Sequence, residues 1–197
     1  MITTNSAPLY RFMASFNNHG KNLKKYFTAK KRDSFPYMHE SLGSNYRMTE
    51  MQSAIGICQL EKMESWSRIR ERNAGIYINA VKDIELINTP VIPKHLKHAW
   101  YKLYLTLNPQ LLKKSFTRTK IIDELNHQLV PCSFGGSGQM YQEHAFFGST
   151  YKKDGFLLNA SFLEKNSLML LVHPTISREE SIRRAKVLKS VLQHAQK

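Results

Sequence analysis

The sequence predicts an α/β fold, and three stretches carry that expectation. Tyr101-Lys102-Leu103-Tyr104-Leu105-Thr106-Leu107 alternates, with Leu103, Leu105 and Leu107 on one face, which is the pattern of a half-buried strand. Met51, Ala54, Ile55 and Cys58 recur at helical spacing, and Met63, Trp66 and Ile69 extend the pattern. They predict a long helix from about Glu50 to about Val81. Leu168 to Val172 is a short, wholly apolar run that reads as a buried strand.

The remaining elements follow along the chain. Ile2 to Thr4 reads as a short strand. Pro8 to Ser15 reads as a helix with Leu9, Phe12 and Met13 on one side, and Gly20 fits its C-terminal stop. Residues 20–45 form a long basic and aromatic loop, a length that suggests function in a compact protein. The helix from Glu50 reaches roughly 45 Å at about 1.5 Å per residue, enough to bridge two domains. Gly75 is a candidate break in it, and Gly56 beside Ala54 permits close approach of another backbone. After Pro90 and Pro93 come the Tyr101–Leu107 strand and a helix from Phe116 to Gln128 with Ile121, Ile122 and Leu125 inward. Leu129 to Cys132 is a candidate strand, and Phe134-Gly135-Gly136-Ser137-Gly138 a loop. Ser177-Arg178-Glu179-Glu180 reads as a capping box opening a helix whose apolar face is Ile182, Ala185, Leu188, Val191 and Leu192. The expected domains are 1–85 and 86–197, the second a small α/β sandwich.

Composition narrows the function classes. The 197 residues are 42% hydrophobic and 22% charged, as in ordinary globular proteins. No run of eighteen apolar residues suggests a membrane span, and Met-Ile-Thr-Thr-Asn-Ser does not read as a signal peptide. Two cysteines, Cys58 and Cys132, make no disulfide framework, and Cys58 is expected as a buried thiol. These features together point to the cytoplasm. The net charge of +14 attracts anions, whether nucleic acid, anionic membrane or phosphorylated small molecules. Lysines and aromatics interleave between Lys21 and Arg32, but no helix-turn-helix, zinc finger or RNP motif accompanies them, so nucleic acid is not the expected partner. His95 and His98 lack the Cys, Asp or Glu neighbours that would complete a metal set, so no metal site is expected.

The most informative stretch is Gly43-Ser44-Asn45-Tyr46-Arg47-Met48-Thr49-Glu50-Met51-Gln52-Ser53-Ala54-Ile55-Gly56. It passes from a polar turn into the long helix through a capping box, Thr49 with Gln52. A helix N-terminus presents unpaired N–H groups to an anion, and Asn45, Tyr46 and Arg47 just before it add an amide, a phenol and a guanidinium.

This stretch closely resembles a signature of the DegT/DnrJ/StrS-type sugar aminotransferases, pyridoxal-phosphate (PLP) enzymes that aminate nucleotide-linked keto-sugars. The resemblance is collinear over nearly the whole chain. It includes Met1-Ile2-Thr3-Thr4-Asn5, Phe16-Asn17-Asn18-His19-Gly20 and Gln59-Leu60-Glu61-Lys62. It continues through Gly136-Ser137 with Tyr141, Ala145 and Phe146, and ends at Leu170-Leu171-Val172-His173-Pro174. It implies the C-terminal part of a fold-type I PLP-dependent transferase. Residues 1–85 would be the end of the large domain with the bridging helix, and 86–197 the small domain.

The resemblance also implies roles. Asn45 would contact the PLP phosphate of the partner subunit in a homodimer, with Arg47 beside it; Tyr46, Ser137 and Tyr141 would face the substrate. Gly138 stands where a cysteine is associated with this branch, and Gln139 and Met140 also depart from its pattern. The family's Schiff-base lysine would precede Met1, so no catalytic residue is expected in this chain. The expected function is the C-terminal portion of an aminotransferase of polysaccharide or O-antigen sugar biosynthesis, truncated and inactive alone. Two alternatives stand beside it: half of a split enzyme completed by a separate N-terminal chain, and a non-catalytic basic binding module.

Overall fold

The computed structural model describes residues 2–28, 38–136, 138–148 and 155–197. They form two compact units, 1–61 and 62–197.

The first unit is built from backbone pairing around two helices, α1 (Ala7–Asn17) and α2 (Leu23–Thr28). Ser6 caps α1, its hydroxyl accepting from Leu9 N–H, and Pro8 occupies the first turn, where its missing N–H costs nothing. Residues 2–4 are not a strand, because no neighbouring strand among the described residues takes their backbone groups. The 20–45 stretch is not wholly loop either, since it contains α2. Asn22 caps that helix through Oδ1, which accepts from Lys25 N–H at 3.0 Å, while its amide donates to Glu40 at 2.6 Å. The same Glu40 pairs with Lys25, and these bonds hold its carboxyl below the usual carboxylate range.

Helix α3 (Glu50–Val81) runs without interruption past Gly56 and Gly75. A Cβ at either glycine would meet nothing within 4 Å, so neither marks a break or a close backbone approach. The buried residues of α3 are Asn73, Ala74, Tyr77 and Val81, all toward its C-terminal end. Met51, Ile55, Ile57 and Leu60 are largely exposed, and so is Cys58. The expectation of a buried Cys58 is therefore corrected: helical spacing identified an apolar face, but nothing among the described residues covers it. Cys132, by contrast, is buried, and burial pushes its thiol up to about 12. A thiol reagent at pH 8 should accordingly label Cys58 rapidly and leave Cys132 unlabelled until the chain is denatured. Because the exposed apolar face carries a chain of net charge +14, self-association should increase as salt screens the repulsion. Sedimentation at low and high salt checks this; a monomer at both would contradict it.

The second unit is a small α/β sandwich. A four-stranded antiparallel sheet has the order β1 (Ile87–Asn88), β2 (Leu103–Leu107), β4 (Ser167–Leu170), β3 (Cys132–Phe134). Register sets inward residues opposite one another: Leu103 faces Leu170, Leu105 faces Leu168, and Cys132 faces Leu170. The inward face shares one hydrophobic cluster with Ala74, Tyr77 and Val81 of α3, with α4 (Arg118–His127) and with α6 (Arg178–Ala195). Ile121, Ile122 and Leu125 of α4 are buried as the sequence predicts, and so are Ala185, Leu188, Val191 and Leu192 of α6; Ile182 stays partly exposed. Helix α5 (Leu158–Asn166) lies along β2 and carries no strong sequence signal. Its only buried residue is Ser161.

Two local details differ from the sequence expectation. Leu129 adopts a left-handed backbone (φ 59°), and Arg183 donates to the carbonyls of Gln128 (3.2 Å) and Leu129 (2.9 Å). Those bonds cap α4 and delay the strand until Cys132. In the Ser177 box, Ser177 Oγ accepts from Glu180 N–H at 3.1 Å, but the Glu180 carboxylate turns to Arg183 and Arg184, at 2.8 and 2.6 Å. Those two guanidinium groups lower Glu180 from its ordinary 4.5 to about 2. A carboxylate depressed on folding adds stability above its unfolded value, and the gain is lost as pH falls through the folded one. Glu180→Gln should thus lower the melting temperature at pH 7, and the gap from the unmodified chain should narrow from about pH 4.5 downward. A gap constant from pH 7 to pH 3 would contradict the assignment.

Candidate functional site

The residues before α3 form a short, polar, exposed run anchored on both sides. The capping box is complete: Thr49 N–H donates to Gln52 Oε1 at 2.9 Å and Gln52 N–H to Thr49 Oγ1 at 3.2 Å. That fixes where α3 begins. Upstream, Ser44 N–H donates to Phe16 O at 2.8 Å, His19 N–H to Ser44 O at 3.1 Å, and Tyr46 N–H to Asn17 O at 3.1 Å. Asn45 is bridged to Asn18 by the same backbone pairing, and the Tyr46 ring stacks on Phe16 with centroids 6.0 Å apart.

Asn45 and Arg47 act as a pair. Arg47 donates from Nε to Asn45 Oδ1 at 3.0 Å, and its backbone N–H reaches the same oxygen at 3.4 Å. Among the described residues the Asn45 amide NH2 and the outer guanidinium nitrogens of Arg47 carry no hydrogen bond. They are exposed donors beside the positive end of a helix whose Glu50 and Met51 N–H groups have no partner among the described residues, while that of Gln52 is taken by Thr49. Glu50 in the first turn offsets part of that positive potential. The donor set, one amide and one guanidinium held by a shared oxygen, fits a phosphate group. The structure thus brings together Asn45, Tyr46 and Arg47; Tyr46 is both exposed and stacked.

The other sequence candidates lie in the second unit. Ser137 falls outside the described residues. Tyr141 accepts from Leu157 N–H at 3.1 Å and donates to Gln139 Oε1 at 3.2 Å, and Gln139 donates to Glu164 at 2.6 Å. These bonds tie the 139–141 turn to α5. Next to it a cavity of about 330 Å3 is lined by Tyr104, Thr106, Gly135, Gly136, Gly138, Leu163, Glu164 and Ser167. Gly138 is required there: its Cβ would overlap the Ala160 carbonyl and lie 2.9 Å from the Glu164 side chain. Arg118 donates to the carbonyl of Glu164 and lies 4.5 Å from the Phe134 ring centroid. Sequence reasoning did not find Arg118 or Glu164, whose partners are distant along the chain, and met Gln139 only as a departure from the family pattern.

Among the described residues no group of three His, Cys, Asp or Glu is placed to hold a metal ion, and no helix is long and apolar enough to cross a membrane. His98 is engaged locally, its Nδ1 accepting from Trp100 N–H at 2.9 Å. His173 is exposed, with Nδ1 2.8 Å from Thr175 Oγ1.

The aminotransferase from Psychrobacter cryohalolentis superposes with a TM-score of 0.86 at 32% identity, covering 98% of this chain and 51% of its own. An uncharacterized protein of Methanocaldococcus jannaschii, MJ1066, is 31% identical over 98% of this chain and 49% of its own length. The UDP-4-amino-4,6-dideoxy-N-acetyl-beta-L-altrosamine transaminase of Helicobacter pylori is 32% identical over 64% of this chain and 31% of its own. The chain spans about half the length of the relatives that it matches from end to end. The sequence pattern of the DegT/DnrJ/EryC1/StrS aminotransferases matches residues 1–189, and the chain is a short, partial-length member of that family.

Proposed function

We propose that this chain is the C-terminal portion of a PLP-dependent aminotransferase acting on a nucleotide-linked keto-sugar, in the cytoplasm and as a homodimer. The observation that carries the reading is the Asn45–Arg47 pair, held by a shared oxygen at the start of α3. Its free donors fit the phosphate of PLP. The transaminase activity of the H. pylori relative on a UDP-linked sugar supports the substrate class. A net charge of +14 suits a diphosphate-linked substrate.

PLP, when bound, carries the amino group between an amino acid and the sugar carbon. The residues of this chain hold and orient. Asn45 would hold the phosphate of the neighbouring subunit's cofactor through its amide, and Arg47, which bonds Asn45 Oδ1, would fix the Asn45 rotamer and add positive charge. Tyr46 borders the same mouth. Ser137 and Tyr141 belong to the substrate side, where Tyr141 anchors the 139–141 turn to α5. Residues 1–85 complete a large domain and 86–197 form the small one. The amino-transfer lysine belongs to the rest of the family's length.

The test is complementation. This chain is combined with the lysine-bearing portion of the P. cryohalolentis aminotransferase, and amino transfer to a UDP-linked 4-keto-sugar is measured. The assembly should be active and each part alone inactive. Assembly into a stable complex that neither retains PLP nor transfers an amino group would overturn the proposal.

A further inference from the structure

The two strands of backbone that meet before α3 do so at two glycines. Gly20 is buried and left-handed (φ 75°), and a Cβ there would overlap the Ser41 carbonyl. At Gly43 a Cβ would overlap the backbone nitrogen of Gly20 and lie 2.7 Å from Phe16 O. Each glycine thus leaves room for the other's segment. Around them, Glu40 N–H donates to Gly20 O at 2.9 Å, and Asn22 N–H to Met38 O at 2.8 Å. The pairing continues through Phe16, Asn17 and His19 to Ser44 and Tyr46.

Beside this pairing the segment has the bonds of Glu40 to Asn22 and Lys25 and the stacking of Tyr46 on Phe16, but no packed core. Met38 is the buried hydrophobic residue of residues 1–61 among those described, and α1 buries none. The direction of Asn45 therefore depends on close backbone approach and not on a packed core. The geometry points to Gly20 and Gly43 as positioning residues for Asn45: their missing side chains let segment 16–20 clamp segment 41–46, which aims the Asn45 amide at its phosphate. This rests on the phosphate reading of Asn45 given above.

A conformational role and a steric role are separable. Asparagine tolerates the left-handed region, so Gly148→Asn, at φ 74° with nothing within 4 Å of its Cβ, should be harmless. Gly20→Asn meets the Ser41 carbonyl and should be as damaging as Gly20→Ala.

The experiment has two arms. In the full chain alone, amide exchange at Ser44 and Tyr46 should accelerate roughly tenfold or more in Gly43→Ala and Gly20→Asn, and not in Gly148→Asn. In the complemented enzyme, Gly43→Ala should raise the PLP dissociation constant about tenfold or more, and add nothing in an Asn45→Ala background. Unchanged exchange overturns the clamp. An equal loss of PLP affinity with and without Asn45 overturns positioning through Asn45. Accelerated exchange together with an Asn45→Ala enzyme of unaltered PLP affinity overturns the phosphate reading instead, so the two failures are distinct.

Discussion

Asn45→Ala should weaken PLP retention in the complemented enzyme about ten- to hundredfold while leaving the unfolding of the chain nearly unchanged. The magnitude is that of one hydrogen bond to a charged group, roughly 1.5–3 kcal/mol. Stability is spared because Asn45 is exposed and its side-chain partner is Arg47, a neighbour in the same loop. The loss should come from the missing donor and from Arg47, which no longer has Oδ1 to hold it. Arg47→Lys should be milder than Asn45→Ala but still measurable, since an ammonium keeps the charge and loses the planar fork. Spectroscopic titration with PLP and thermal melts of the same samples give both quantities. A fall in melting temperature parallel to the PLP loss would mean that Asn45 acts through folding.

Leu105→Ala should strongly destabilise the second unit. Leu105 is fully buried at the centre of β2, opposite Leu168, and belongs to the cluster shared by α3, α4 and α6. Removing a leucine at such a site costs about 2.7–5 kcal/mol, out of roughly 5–15 kcal/mol for a typical domain. Tyr104→Ala is the matched control, because Tyr104 points to the other face of the same strand and is partly exposed. The urea midpoint should drop sharply for Leu105→Ala and only slightly for Tyr104→Ala. Equal drops would contradict the placement of the core on one face of the sheet.

What was legible in the sequence was local or periodic. The Thr49–Gln52 box joins residues three apart, and both of its bonds form. The Leu103–Leu107 alternation reports its own face, and the pattern of burial follows it. The parts that were not legible depend on distant chain. The strand expected at Leu129 begins at Cys132 because Arg183, 54 residues later, takes the Leu129 carbonyl. Cys58 shows a different limit: periodicity says which face is apolar and not whether anything covers it. The Gly20–Gly43 approach follows from no local pattern, since each glycine is explained only by a segment about twenty residues away. Asn45 and Arg47 could be named as candidates from residue type and position, but their shared Oδ1 needed coordinates.

The most direct test of the central claim is a mixed dimer of complemented subunits. One subunit carries Asn45→Ala with its amino-transfer lysine intact; the other keeps Asn45 and has that lysine replaced. If Asn45 serves the cofactor of the opposite subunit, the intact lysine and the intact Asn45 meet in one site. Titration should then find one PLP per dimer at the affinity of the unmodified enzyme. No site at that affinity, with the remaining PLP held only as weakly as in the Asn45→Ala homodimer, would contradict a contribution across the interface.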